Sequence, residues 1–234
     1  MIYINHKLKA IFIHIPKTGG SYIGPTLVKY YGFTSYLNIM SERRPDHVEI
    51  CGESIIKTFN SNYDYSFFNK TIGILKYCKT SEYLNKCMDM TSEKWATYKK
   101  FCFIRNPYDR ILSGWEHIKQ IFNYNMNLQE YLIKKNINVS DIEYGHLYFS
   151  QKRQIEDIDS TCGVDIIGRF EYLEEDFIQI LQKIGITNII HTPKKVNVSR
   201  PYKTNIITLN INTIQMINRI FYDDFQTFHY KKVL

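Results

Sequence analysis

The segment His14-Ile-Pro-Lys-Thr-Gly-Gly-Ser21 gathers a lysine, two hydroxyls and two adjacent glycines. Successive backbone N–H groups in such a loop, backed by the positive end of a following helix, attract an anion, and glycines let it approach the main chain closely. Lys17 adds a mobile cation. Its place departs from the pattern G-x-x-x-x-G-K-[ST], in which lysine follows the second glycine, because Lys17 precedes Gly19-Gly20. An ordinary ATP or GTP loop is therefore disfavoured. A second segment, Arg105-Asn-Pro-Tyr-Asp-Arg-Ile-Leu-Ser113, offers a guanidinium fork suited to bidentate phosphate contacts and, further along, a serine hydroxyl.

Both segments sit where a strand should give way to a helix. Ala10-Ile-Phe-Ile-His-Ile15 is a β-branched, nearly continuous apolar run ended by Pro16, which predicts a buried strand of a parallel sheet. Ile23, Leu27, Tyr30 and Tyr31 then recur at helical spacing, with Pro25 expected in the first turn, where its missing N–H costs nothing. The second strand is Lys100–Ile104. Asn106 follows as an N-cap with Pro107 at the first helical position, and Ile111, Leu112, Trp115, Ile118 and Phe122 form an apolar stripe. Arg105 thus falls at the carboxyl edge of the sheet, where open α/β sheets bind ligands.

The remaining chain reads as supporting structure. Residues 35–99 are polar and aromatic, with a helix expected near Ser81–Met90 and otherwise loops and short helices covering a site. Helices are expected at Leu128–Lys135, Ile142–Ile155 and Leu173–Ile184, the last stopped by Gly185, with a strand at Val164–Ile167. A final amphipathic helix carries Ile211, Ile214, Ile217, Phe221 and Phe225. No repeat or linker divides residues 1–234, so the expectation is one α/β domain with a central parallel sheet flanked by helices.

Composition narrows the classes. The chain has 234 residues, 44% of them hydrophobic, and 30 Lys+Arg against 23 Asp+Glu give a net charge of +7. Such a chain can bury a core and is not disordered. Its apolar runs fall far short of the roughly 20 residues that cross a bilayer, and Met1–Lys9 lacks the apolar core of a secretory signal. A cytoplasmic or host-cell interior location is expected. Five scattered cysteines without a Cys-x-x-Cys pair suggest reduced thiols rather than a disulfide or zinc framework. The basic excess alone fits either a solvated surface or a phosphate-rich partner.

The order of motifs resembles one family. Pro16-Lys-Thr-Gly-Gly-Ser21 is similar to the 5′-phosphosulfate loop of sulfotransferases that use 3′-phosphoadenosine 5′-phosphosulfate (PAPS), and Arg105 to Ser113 is similar to their 3′-phosphate motif. The pattern is nearest to the branch with heparan sulfate 2-O and 6-O enzymes and microbial relatives. Gly168-Arg-Phe-Glu-Tyr-Leu-Glu-Glu-Asp-Phe177, Val196-Asn-Val-Ser199 and Tyr222-Asp-Asp-Phe225 resemble later blocks of that family in the same order.

The resemblance implies a P-loop-like sulfotransferase fold and in-line transfer of a sulfuryl group from PAPS to an acceptor hydroxyl, on a carbohydrate, leaving 3′-phosphoadenosine 5′-phosphate (PAP). No metal is implied. Lys17 would offset charge growing on the leaving phosphate, while Thr18, Gly19, Gly20, Ser21 and Tyr22 would supply backbone and hydroxyl donors. Arg105 and Ser113 would hold the 3′-phosphate, joined by Ser199 and Arg200, with Lys203 close behind. His47 is the expected general base, since related enzymes place a histidine after the first helix and imidazole suits proton removal near neutral pH. Glu49, Glu53 and His14 compete for that role. Arg169 and Glu171 are expected near the donor, with an internal salt bridge as the structural alternative, and His146 with Gln151 on a helix lining the acceptor cleft.

Structural readings stand beside these: a solvated loop lysine for Lys17, an ion pair with Asp109 for Arg105, and a small packing residue for Ser113. Two alternative functions also stand. One is a P-loop-type small-molecule kinase, which would need Mg²⁺ and a Walker lysine that is not well placed here. The other is a non-catalytic basic protein binding polyanions through Tyr- and Lys-rich segments such as Tyr63–Lys79, although no nucleic-acid-binding signature accompanies them. The expected partners are PAPS and a glycan, with no nucleic acid and no membrane span.

Overall fold

The computed structural model describes residues 2–36, 73–80, 82–122, 127–134, 149–193 and 209–233. Five strands form one sheet: β1 (Ile2–Asn5), β2 (Ala10–Ile13), β3 (Thr34–Tyr36), β4 (Lys99–Ile104) and β5 (Ile166–Arg169), in the order β3-β1-β2-β4-β5. Strands β2, β4 and β5 run parallel, with Phe12 opposite Phe101 and Cys102 opposite Ile167. The expected central parallel sheet is thus present, and it is extended at one edge by β1, which pairs antiparallel with both β2 and β3. A tight turn at residues 6–9 joins β1 to β2. So short a connection can only make a hairpin, because a parallel pair needs a crossover of a dozen residues or more.

Strand alternation fills both faces of this sheet. Ile11, Ile13, Cys102 and Ile104 join Ile2 and Ile4 in one apolar cluster, which Trp95 and Met88 complete. Phe12, Phe101 and Phe103 point the other way, onto Ile23 and Leu27 of α1 (Gly20–Tyr31) and onto Phe177 and Leu181. Fully burying each such aromatic contributes about 1.5–3 kcal/mol. Helices α2 (Ile74–Thr80), α3 (Glu82–Cys87) and α4 (Ser92–Thr97) lead into β4, and α4 is capped by the Thr91 side chain accepting from the Lys94 N–H. After β4 come α5 (Pro107–Phe122), α6 (Leu128–Lys134) and the short α7 (Gln151–Gln154). Strand β5 passes through a single turn at Phe170–Tyr172 into α8 (Leu173–Lys183), and the chain ends with α9 (Ile211–Ile220) and α10 (Tyr222–Thr227). Ile111, Leu112 and Trp115 of α5 pack with Tyr131, Ile217, Phe221 and Phe225 in a third cluster.

The strand–loop–helix junctions therefore stand where the spacing predicts them, on a central sheet flanked by helices. Three local expectations shift. Pro25 lies in the second turn of α1 rather than the first; helix geometry pairs its position with the Ser21 carbonyl, and proline has no N–H to offer there. Strand β5 runs two residues later than Val164–Ile167. Of the helix expected at Ile142–Ile155, residues 142–148 lie outside the described residues, and the described part is helical only over Gln151–Gln154. No helix among the described residues is long and apolar enough to cross a membrane. Cys78, Cys87, Cys102 and Cys162 are free thiols, and burial pushes Cys78 up to about 12.

Candidate functional site: two strand-end junctions joined by arginines

At the first junction β2 ends at Ile13 and the chain turns through Pro16, Lys17 and Thr18 into α1. Lys17 has φ 69 and Gly19 φ 94, both left-handed. Glycine takes that conformation freely, whereas at Lys17 it is strained and must be held by its surroundings. The hold is visible. The Thr18 side chain is fully buried and its hydroxyl donates to the Ile15 carbonyl at 2.8 Å. The Arg105 guanidinium donates from Nη1 to the Lys17 carbonyl at 3.3 Å, and Arg110 donates from Nε to the Pro16 carbonyl at 3.1 Å. Two carbonyls that would otherwise compete with an anion for the loop's donors are thereby occupied.

Gly19 stands at the N-cap of α1 with no side-chain cap, and the Tyr22 and Ile23 N–H groups return to its carbonyl at 2.9 and 3.0 Å. The first N–H groups of a helix have no intrahelical partner by geometry, so Gly20 and Ser21 carry the donors of the α1 N-terminus. Ser21 is exposed and Lys17 half-buried. Close packing fixes this end: a Cβ on Gly20 would lie 1.9 Å from His14 Nε2, and one on Gly19 would lie 2.9 Å from the Phe170 ring. His14 stacks on Phe12 with centroids 6.1 Å apart, so it rests against the start of α1.

The second junction is built differently. Asn106 accepts the Tyr108 N–H at 3.0 Å through its side chain, and its own N–H donates to Glu171 Oε1 at 2.6 Å. Both backbone groups of Arg105 are bound to one side chain, its N–H to Gln151 Oε1 and its carbonyl to Gln151 Nε2, each at 2.8 Å. The Arg105 guanidinium lies 4.4 Å over the Phe170 ring. Burial lowers its pKa, with Asp109 and Glu171 acting in the opposite direction, and an arginine so placed remains a cation at neutral pH. Ser113 is half-buried in α5.

Beneath the junctions lie polar groups that the sequence did not flag as site residues. Arg110 is 1% exposed and also donates from Nη1 to the Phe149 carbonyl at 3.1 Å. Asp224 is fully buried, and it accepts the Gln151 N–H at 2.8 Å and the Lys152 N–H at 2.9 Å. A signal for Asp224 did exist. Phe221, Asp224, Phe225 and Phe228 share one helical face, so a carboxylate interrupts an apolar stripe.

Several expected residues take definite places. Gln151 is fully buried against the Arg105 backbone instead of lining an acceptor cleft. Arg169 donates from Nη2 to the Phe228 carbonyl at 2.7 Å, and Glu171 accepts from Asn106 and from the Tyr230 hydroxyl, so each has its own partners. Tyr230 is held protonated by burial and by the neighbouring Glu171. His47, Glu49, Glu53, His146, Ser199, Arg200 and Lys203 lie outside the described residues.

Comparison with known proteins follows the same lines. An uncharacterized protein of Archaeoglobus fulgidus is 32% identical over 90 residues, spanning 38% of this chain and 69% of that protein. A crystal structure of a sulfotransferase from Alicyclobacillus acidocaldarius superposes with a TM-score of 0.45 at 14% identity, over 94% of this chain and 86% of that one. The model of the sulfotransferase family matches residues 1–146, more than half of the 234 residues, and that span holds both junctions. With both strand-end motifs inside the matched span, the chain belongs to the sulfotransferase family.

Proposed function

We propose that residues 1–234 act as one domain that transfers a sulfuryl group from PAPS to a hydroxyl of a carbohydrate. One observation carries the reading: the Arg105 guanidinium is bonded to the Lys17 carbonyl at 3.3 Å. The side chain suited to a 3′-phosphate and the loop suited to a 5′-phosphosulfate thus belong to one site, and a nucleotide phosphorylated at both ends matches that pair. The residues present fit such a donor, because a backbone-rich helix start, a lysine and a buried-edge arginine are all donors and cations.

Bound PAPS supplies the sulfuryl group and its 5′-phosphate as leaving group. Lys17 neutralises charge that develops on the departing oxygen, and the backbone donors from Thr18 to Tyr22, with the Ser21 hydroxyl, orient the phosphosulfate. Because the Thr18 hydroxyl proton and the Tyr22 N–H already have partners within the chain, the main weight falls on Gly19, Gly20 and Ser21. Arg105 and Ser113 hold the 3′-phosphate, assisted by Ser199 and Arg200, and this contact selects PAPS over ATP. His47 takes the proton of the attacking hydroxyl. Only the resemblance supports the roles of His47, Ser199 and Arg200.

The test is incubation with sulfur-labelled PAPS and a panel of glycans, glycolipids and tyrosyl peptides. Label should enter glycans, vanish in His47→Ala and persist in Glu49→Ala and Glu53→Ala. Label appearing only in tyrosyl peptides would reject the carbohydrate acceptor, and phosphate transfer from ATP with Mg²⁺ but none from PAPS would reject the reaction.

A further inference from the structure

Arg110, Gln151 and Asp224 come from α5, α7 and α10, and all three are essentially buried, with exposures of 1%, 0% and 0%. Buried polar groups are costly unless their bonds are satisfied, so their partners reveal what the fold spends them on. Arg110 binds the carbonyls of Pro16 and Phe149. Gln151 clasps Arg105 by both backbone groups. Asp224 receives the N–H groups of Gln151 and Lys152, and its negative charge favours the charged form of Arg110. These bonds end on backbone atoms of the anion loop, of Arg105, or of the segment 149–152 that connects them, and Gln151 Nε2 also reaches Asp224 Oδ2 at 3.4 Å.

We propose that Arg110, Gln151 and Asp224 form a buried positioning assembly that sets the spacing between the anion loop and Arg105, and so the distance between the two phosphate subsites of the donor. The assembly deepens the PAPS reading and rests on it for the identity of the ligand. Its division of labour is specific: Gln151 fixes the 3′-phosphate side through Arg105, and Arg110 fixes the 5′ side through Pro16. Neither touches the nucleotide. Burial brings the Arg110 guanidinium down to about 10, with Asp224 opposing, so it stays charged at neutral pH.

The experiment measures binding of PAP and of AMP, which lacks the 3′-phosphate, to the wild-type chain, Gln151→Glu and Arg110→Lys, together with amide hydrogen exchange of each free protein. Gln151→Glu keeps the acceptor for the Arg105 N–H, loses the donor shared by the Arg105 carbonyl and Asp224 Oδ2, and sets a second carboxylate beside Asp224. It should weaken PAP about tenfold while changing AMP less than about twofold. Arg110→Lys should weaken both nucleotides by a similar factor. In the free proteins, exchange should quicken at residues 105–106 in Gln151→Glu and at 17–21 in Arg110→Lys, while β1 stays protected as in wild type. Equal loss of PAP and AMP binding in Gln151→Glu, or unchanged exchange in both segments, would overturn the assembly. Should the wild-type chain bind neither nucleotide, the donor assignment fails, and the exchange result still decides whether these residues hold the two junctions. Should Gln151→Glu melt too low to be titrated, Gln151→Met replaces it, with the same PAP-to-AMP contrast expected.

Discussion

The two junctions use opposite means to present a helix start. At β2–α1 the N-cap is Gly19 with no side-chain cap, the loop contains two left-handed residues, and its outward carbonyls are tied down by arginines from elsewhere. At β4–α5 the cap is the Asn106 side chain, Pro107 starts the helix, and Glu171 and Gln151 occupy the flanking backbone groups. The first junction thus leaves the opening N–H groups of α1 without a side-chain cap, as the proposed phosphosulfate contact requires. The second satisfies its own backbone and offers a side chain, Arg105, instead. An anion site assembled from both would gain close backbone contact at one end and a charged fork at the other, with the Arg105–Lys17 bond linking the two ends.

The largest effect is expected from Arg105→Ala, which removes the fork while Asn106 and Pro107 still start α5. PAP affinity should fall about 100-fold, and AMP affinity far less, by calorimetric titration. A loss shared equally by both nucleotides would show that the second junction is structural only. Next comes Gly20→Ala. The added Cβ would meet the His14 ring at 1.9 Å, so the first junction should lose about 2 kcal/mol, seen as a melting temperature lower by about 4–8 °C. Unchanged melting would mean that His14 moves aside freely. Asn106→Ala removes one side-chain cap and should cost about 1 kcal/mol by urea unfolding, with little change in AMP binding. The smallest effect is that of salt: raising ionic strength from about 0.05 to 0.2 M should weaken PAP about two- to threefold and AMP less, since only PAP engages the Arg105 charge fully.

How far the sequence reveals this arrangement follows from the same contrast. The capped junction is legible because Asn106, Pro107 and the apolar positions of α5 are local signals. The loop of the first junction is legible by composition, through Lys17 and Gly19-Gly20. What escapes notice depends on long-range pairing. Strand β1 spans only four residues, Ile2–Asn5, too short for a period to stand out, and its hairpin partner defines it. Pro25 reads as a first-turn proline only if α1 begins later than Gly20. Arg110, Gln151 and Asp224 look like ordinary polar residues until the fold brings together positions more than 70 apart, as in the Gln151–Asp224 bond. The backbone anchoring of Arg105 and of the loop is written in those pairs rather than in either motif.

In the proposed function both junctions bind one nucleotide bearing phosphates at two ends. Thermal unfolding of the wild-type chain with and without PAP tests it most directly, because a ligand that binds only the native state must stabilise it. At PAP about 100-fold above its dissociation constant, the melting temperature should rise by about 5–10 °C, with a smaller rise for AMP. An unchanged melting temperature at millimolar PAP would contradict the account.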